Sequence, residues 1–160
     1  MLVFRIARKK YIRDLTGLGA KLYGGRWNLP GTAIIYTSET RALAMVEFLV
    51  HVSWAHLPSD IHLAGLQLPD HPEPEILPPD RLPKNWRNHP GPDKLARMGT
   101  EWARSDRGLL LRVPSAVVDQ EYNILINPSH PDVRLIKILK AKEMKFDRRL
   151  IRQSEGSSGG

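Results

Sequence analysis

The stretch GGRWNLPGTAIIYTSETRALAMVE, residues 24–47, turns sharply, extends and then coils. Gly24-Gly25 allows a tight turn and a close backbone approach to a ligand. Arg26 follows with a planar fork of donors suited to a phosphate or a carboxylate. Trp27 and Asn28 sit beside it, and Pro30-Gly31 closes the turn. AIIYT (33–37) reads as a buried strand that delivers Tyr36. A helix is predicted from Glu39 to about Val52, with Ser38 as N-cap and Glu39 favoured by the helix dipole. At about 100° per residue, apolar side chains cover most of that helix, which reads as largely buried. Glu47 falls in the narrow gap, about 140° from Ala42, with His51 at about 180°. Periodicity alone leaves Glu47 facing either solvent or a cleft. Each residue also has an ordinary reading: Arg26 paired with a carboxylate, Tyr36 in the strand core, Glu47 solvated. Together, an arginine in a glycine turn, an aromatic at a strand end and a lone acid on the next helix describe one pocket.

Outward from this stretch, LVFRIA (2–7) alternates apolar and polar residues and reads as a strand. Residues 17–31 are rich in glycine and read as irregular. IHLAGLQL (61–68) is a further strand. Residues 69–92 hold eight prolines and read as a surface excursion inserted in one domain. Leu95, Met98 and Trp102 share helical spacing within 93–105, weakened by Gly99. LLLRV, YNILIN and RLIKIL read as three more strands. The sum is a single compact α+β (mixed α/β) domain over residues 1–152, with antiparallel-rich sheets and flanking helices. Residues 153–160, ending in SEGSSGG, read as a disordered tail or an appended remnant.

The composition narrows the chemistry. Of 160 residues, 41% are hydrophobic and 26% charged, which is ordinary for a globular domain. No apolar run approaches the roughly 20 residues that span a bilayer, and the apolar N-terminal stretch is too short for a signal peptide. Cysteine is absent, which excludes disulfides, thiolate nucleophiles and cysteine-held metals and suits a cytoplasmic location. The net charge of +7 is uneven: seven basic and one acidic residue in 1–26, eight and three in 134–160, and nine and thirteen between. Basic ends suit an anion, a nucleic acid or an acidic protein, or are simply solvated. Trp86, Trp102 and Tyr122 could stack bases, but they lie apart from the basic runs and no RRM, KH or helix-turn-helix pattern accompanies them. Direct nucleic-acid contact is therefore not expected. His51, His56 and His62 are spaced five and six apart. On a helix the first two would point about 140° apart, so no metal is expected. No Walker loop, dinucleotide fingerprint or G-x-S-x-G elbow occurs.

The 24–47 stretch closely resembles the RES domain, the toxin half of bacterial RES–Xre toxin–antitoxin pairs. The resemblance continues, in order, through Trp102 to Ser105, LRVPS at Leu111 to Ser115, EYNILINPSHP at Glu121 to Pro131 and FDRRL at Phe146 to Leu150. It implies a fold like that of mono-ADP-ribosyltransferase toxins and a reaction that consumes NAD+. The ADP-ribose would pass to water, to inorganic phosphate or to a protein side chain. Arg26, Tyr36, Glu47 and Ser115 match the family's active-site residues. Asn127 and His130 match a later loop motif, and Asn127 is expected to join Arg26, Tyr36 and Ser115 in binding NAD+. The implied partner is an Xre-like antitoxin that covers the cleft and carries the DNA contact itself. In this scheme Glu47 holds the nicotinamide ribose and offsets its developing positive charge, Tyr36 stacks on nicotinamide or the ribose face, Arg26 grips the diphosphate or ribose oxygens and Ser115 donates to a phosphate or the carboxamide.

Overall fold

Strand β1 (Leu2–Arg8) pairs with β3 (Ile61–Gln67) along its full length, from Leu2 opposite Gln67 to Arg8 opposite Ile61. On its other side Phe4 meets Ser38 of β2 (Ile35–Ser38). β2 pairs with β6 (Tyr122–Ile126), β6 with β5 (Leu110–Pro114), and β5 with the short β4 (Glu75–Ile76). At the far edge β7 (Lys137–Ile138) and β8 (Lys142–Glu143) both pair with β3. Among the described residues one eight-stranded sheet results, ordered β4-β5-β6-β2-β1-β3-β7 with β8 beside β3. Every pairing but β4–β5 is antiparallel. The computed structural model describes residues 1–150, so the expected tail at 153–160 and the domain end at 152 lie outside the described residues.

Strand alternation builds a core on each face of this sheet. Ile124 and Ile126 of β6 join Val3, Ile35, Ala64 and Leu110 on one side. Leu125 between them joins Leu111, Val113, Trp27, Ile34 and Leu95 on the other. Among the described residues the α-helices are α1 (Leu18–Tyr23), α2 (Arg41–His51) and α3 (Asp93–Arg104).

Several expectations shift. Residues 17–31 are not wholly irregular, because α1 forms within them. Gly24 ends that helix at φ 72°, a left-handed turn that glycine adopts without strain. Helix α2 begins later than predicted. Thr40 is its N-cap, accepting from the Leu43 N–H at 3.0 Å. Ser38 instead ends β2 and donates to Asn123 Oδ1 at 2.7 Å, while Glu39 pairs with Arg112 at 2.5 Å. Only Leu43 and Ala44 of α2 are buried, so the helix is half-exposed, not largely buried. Of RLIKIL, Arg134 and Leu135 close the 3-10 turn Pro131–Leu135, and only Lys137 and Ile138 form a strand, β7. No described helix is long and apolar enough to cross a membrane.

The proline-rich stretch is not merely a surface excursion. Leu82 and Trp86 are buried in the second core, and β4 extends the sheet. Gly99 is likewise no defect in α3. A Cβ there would lie 1.9 Å from the Trp27 carbonyl oxygen, so the missing side chain is what lets α3 support the Arg26–Asn28 loop. Thr100, the next residue, accepts from the Leu29 N–H at 2.9 Å. Gly99→Ala should therefore cost at least about 2 kcal/mol of stability, since the obstacle is backbone. Chemical denaturation measures it, and an unchanged midpoint would contradict this packing.

Candidate active site

Sheet register sets up the site. Tyr36 lies opposite Leu125 and Ser38 opposite Asn123, while Asn123 also faces Val113. Period-2 alternation puts Tyr36, Ser38 and Asn123 on the same sheet face. Helix α2 crosses this face, and a cavity of about 520 Å³ opens between them, within the usual range for small-molecule clefts. Phe4 and Ile6 of β1 line it, as do Arg26, Tyr36, Glu47 and Asn123.

Glu47 points into this cleft, which settles the choice between cleft and solvent. Its Oε1 accepts from Ser115 Oγ at 2.7 Å and from Asn123 Nδ2 at 2.7 Å. Among the described residues nothing donates to Oε2. Ser115 is buried and does not line the cavity. Its hydroxyl also accepts from the Val117 and Val118 N–H groups at 3.1 and 3.0 Å, which fixes its proton toward Glu47. Ser115 therefore acts on Glu47 from behind.

Tyr36 forms a rigid wall. Its hydroxyl donates to Asn28 Oδ1 at 2.6 Å and accepts from the Trp27 N–H at 3.1 Å. Burial pushes the phenol pKa well above its ordinary value, with the Trp27 N–H and Arg26 opposing weakly. Asn28 is buried and spends its amide on the carbonyls of Ala20 and Thr32 at 2.8 and 2.9 Å. The Arg-Trp-Asn loop is thus tied to α1, to β2 and, through Leu29, to α3.

Arg26 reaches across to the proline-rich segment. Its Nη1 donates to the Trp86 carbonyl at 2.7 Å and its Nη2 to the Asn88 carbonyl at 3.2 Å. Burial lowers its pKa and the attraction of Glu47 raises it, but the guanidinium stays charged. Arg5 also lines the cavity and donates to the Asp14 carbonyl.

The structure thus brings Arg26, Tyr36 and Glu47 to one cleft, with Ser115 directly behind. Asn127 is elsewhere: it is buried at the end of β6, with Nδ2 donating to the Ala103 carbonyl at 2.9 Å and Oδ1 accepting from the Ser129 N–H at 3.0 Å. His130 caps the 3-10 turn, its Nδ1 accepting from the Asp132 N–H at 3.2 Å. Neither lines the cavity. Asn123 is the residue that sequence reasoning missed. The signal was an asparagine, depleted in strands, at an inward position of YNILIN.

Fold and site together define a mixed α/β domain whose single-sheet face and overlying helix hold a carboxylate, a guanidinium and an aromatic wall around one cleft. Residues 2–148 match the RES domain, and the chain belongs to that family. It is 41% identical over 150 residues to the "Prs ADP-ribosylating toxin" of a Sphingobium strain, covering 92% of this chain and 93% of that one. It is 38% identical over 152 residues to the "Toxin Res" of Yersinia enterocolitica, covering 94% and 99%. The toxin–antitoxin complex MbcT–MbcA of M. tuberculosis has a chain of the same fold, with a TM-score of 0.68 at 18% identity over 89% of this chain and 83% of that one. The chain is therefore a homologue of RES toxins.

Because its folded pKa is raised, the Tyr36 phenol's stabilising contribution is complete below about pH 10 and is lost as pH climbs toward that raised value. In the folded protein Tyr36 should stay un-ionised. Tyrosinate absorbance of folded wild type and folded Tyr36→Phe should then reach the same alkaline plateau. A higher plateau for wild type would contradict the buried, doubly bonded phenol.

Proposed function

We propose that this chain is a toxin that consumes NAD+ by breaking its nicotinamide–ribose bond, restrained by a cognate Xre-like antitoxin and acting on the cytoplasmic NAD+ pool. The observation that carries the reading is Glu47, fixed through Oε1 by Ser115 and Asn123 inside a cleft that also holds Arg26.

The leaving group starts as a cationic pyridinium, so bond cleavage needs little acid catalysis. The C1′–N bond breaks, its electron pair neutralises the nicotinamide ring, and positive charge develops on the sugar. A carboxylate already oriented in the cleft stabilises that charge without reorganising. Oε2 of Glu47 is the atom available to the ribose hydroxyls, because Oε1 is occupied by protein donors. Arg26 answers the diphosphate, which follows the nicotinamide ribose in the substrate, through charge-assisted bonds. The Tyr36 ring supplies a dry face for nicotinamide or its ribose, and its locked hydroxyl keeps that face in place. Ser115 and Asn123 serve as positioning residues for Glu47. Asn127 and His130 have structural roles in this reading. The acceptor oxygen bonds to C1′ and loses its proton, giving ADP-ribose with water or its phosphate ester with inorganic phosphate.

A second reading, transfer of ADP-ribose to a protein side chain, is favoured by the name of the 41%-identical Sphingobium relative. The two share the same bond cleavage and differ in the acceptor. Incubation with labelled NAD+ separates them: free ADP-ribose or its phosphate supports the first, and label on a macromolecule supports the second. In either case nicotinamide should be released. Glu47→Ala should lower that release by more than about 100-fold, close to 3 kcal/mol of transition-state stabilisation. Unchanged release in that variant would remove Glu47 from the chemistry, and intact NAD+ with wild type would end the reading.

A further inference from the structure

The proline-rich stretch has no role in the reaction as described so far, yet it holds the arginine of the cleft. The Arg26 guanidinium has five N–H donors. Two of them go to carbonyls two residues apart, Trp86 at 2.7 Å and Asn88 at 3.2 Å. These carbonyls are themselves fixed. The Trp86 ring is buried in the second core with Leu82, and the Trp86 and Asn88 N–H groups close successive turns onto Pro83 and Asn85 at 2.9 and 3.0 Å. Just beyond, Gly91 lies against the guanidinium. A Cβ there would sit 2.9 Å from Nη1 and 3.4 Å from Cζ of Arg26. The Gly91 backbone is outside the left-handed region, so the requirement for glycine at this position is space, not conformation.

We propose that residues 86–91 are a positioning cradle for Arg26, in which the Trp86 and Asn88 carbonyls and the bare Cα of Gly91 aim its remaining N–H donors at the diphosphate of the substrate. The inference rests on the NAD+ reading. Neutral carbonyls suit this task better than a carboxylate would. They fix the plane of the guanidinium by two bonds but leave its positive charge uncancelled for an anionic ligand. Among the described residues no carboxylate lies within ion-pair distance of Arg26. The cradle is also tied to the other side of the cleft. Arg87 donates to Asp119, in the same loop whose Val117 and Val118 N–H groups orient Ser115. Arg26 and Glu47 are thus braced by segments that touch each other.

Gly91→Ala tests this with little damage to the fold, because the atoms it meets are the tip of a flexible side chain and not backbone. The displaced guanidinium should raise KM for NAD+ about tenfold and change kcat by less than about twofold, since the diphosphate contact is made equally in the ground and transition states. The thermal midpoint should match wild type. Unchanged KM, or kcat and midpoint falling together, would overturn the cradle while leaving the NAD+ reading intact. A wild-type protein that leaves NAD+ unconsumed would overturn both.

Discussion

Two hydrogen bonds onto one oxygen of Glu47 organise this protein's cleft. Ser115 comes from the end of β5 and Asn123 from β6, and each reaches Oε1 at 2.7 Å. That arrangement demands the β5–β6–β2 register, which brings Asn123 beside Ser38 and Val113. It also demands the helix register that the Thr40 cap fixes, because sliding α2 by one residue against the sheet would rotate Glu47 by about 100°. A one-residue slip of β6 would turn Asn123 to the opposite face. Sheet register and helix cap therefore act together to place one carboxylate.

The cleft holds opposite charges, the Glu47 carboxylate and the Arg26 guanidinium. The carboxylate has one oxygen committed to Ser115 and Asn123, and in the proposed reaction the other would face the cationic sugar. The guanidinium sits against the neutral carbonyls of Trp86 and Asn88, which leave its charge uncancelled. In the same cleft the Tyr36 ring is held through its hydroxyl by Asn28 and Trp27. In the proposed reaction such preorganisation would do its work before bond cleavage begins, which is where electrostatic catalysis gains over water.

Much of this was legible in residues 24–47. A glycine turn, a strand and an amphipathic helix are local signals, and they delivered Arg26, Tyr36 and Glu47 to one cleft. What escaped depended on distant partners. Ser38 looked like a helix cap because its competing bond to Asn123 crosses 85 positions of sequence. Ser115 looked like a ligand contact because its sequence does not record that Val117 and Val118 turn its hydroxyl toward Glu47. Asn127 and Asn123 both occur in YNILIN, and only strand pairing decides which one faces the cleft. The prolines of 69–92 argued against regular structure, correctly for most of the segment, but said nothing of Leu82 and Trp86 packing beneath it. Gly99 read as a weak point in a helix when it is a point of close approach.

The central claim is that one dinucleotide bridges the carboxylate and the guanidinium. A crystal structure of Glu47→Gln with NAD+ bound measures it directly. The account predicts a nicotinamide-ribose hydroxyl about 3 Å from the residue-47 side chain and a diphosphate oxygen at the same distance from Arg26. A dinucleotide bound with its ribose away from residue 47, or outside the cleft, would contradict it.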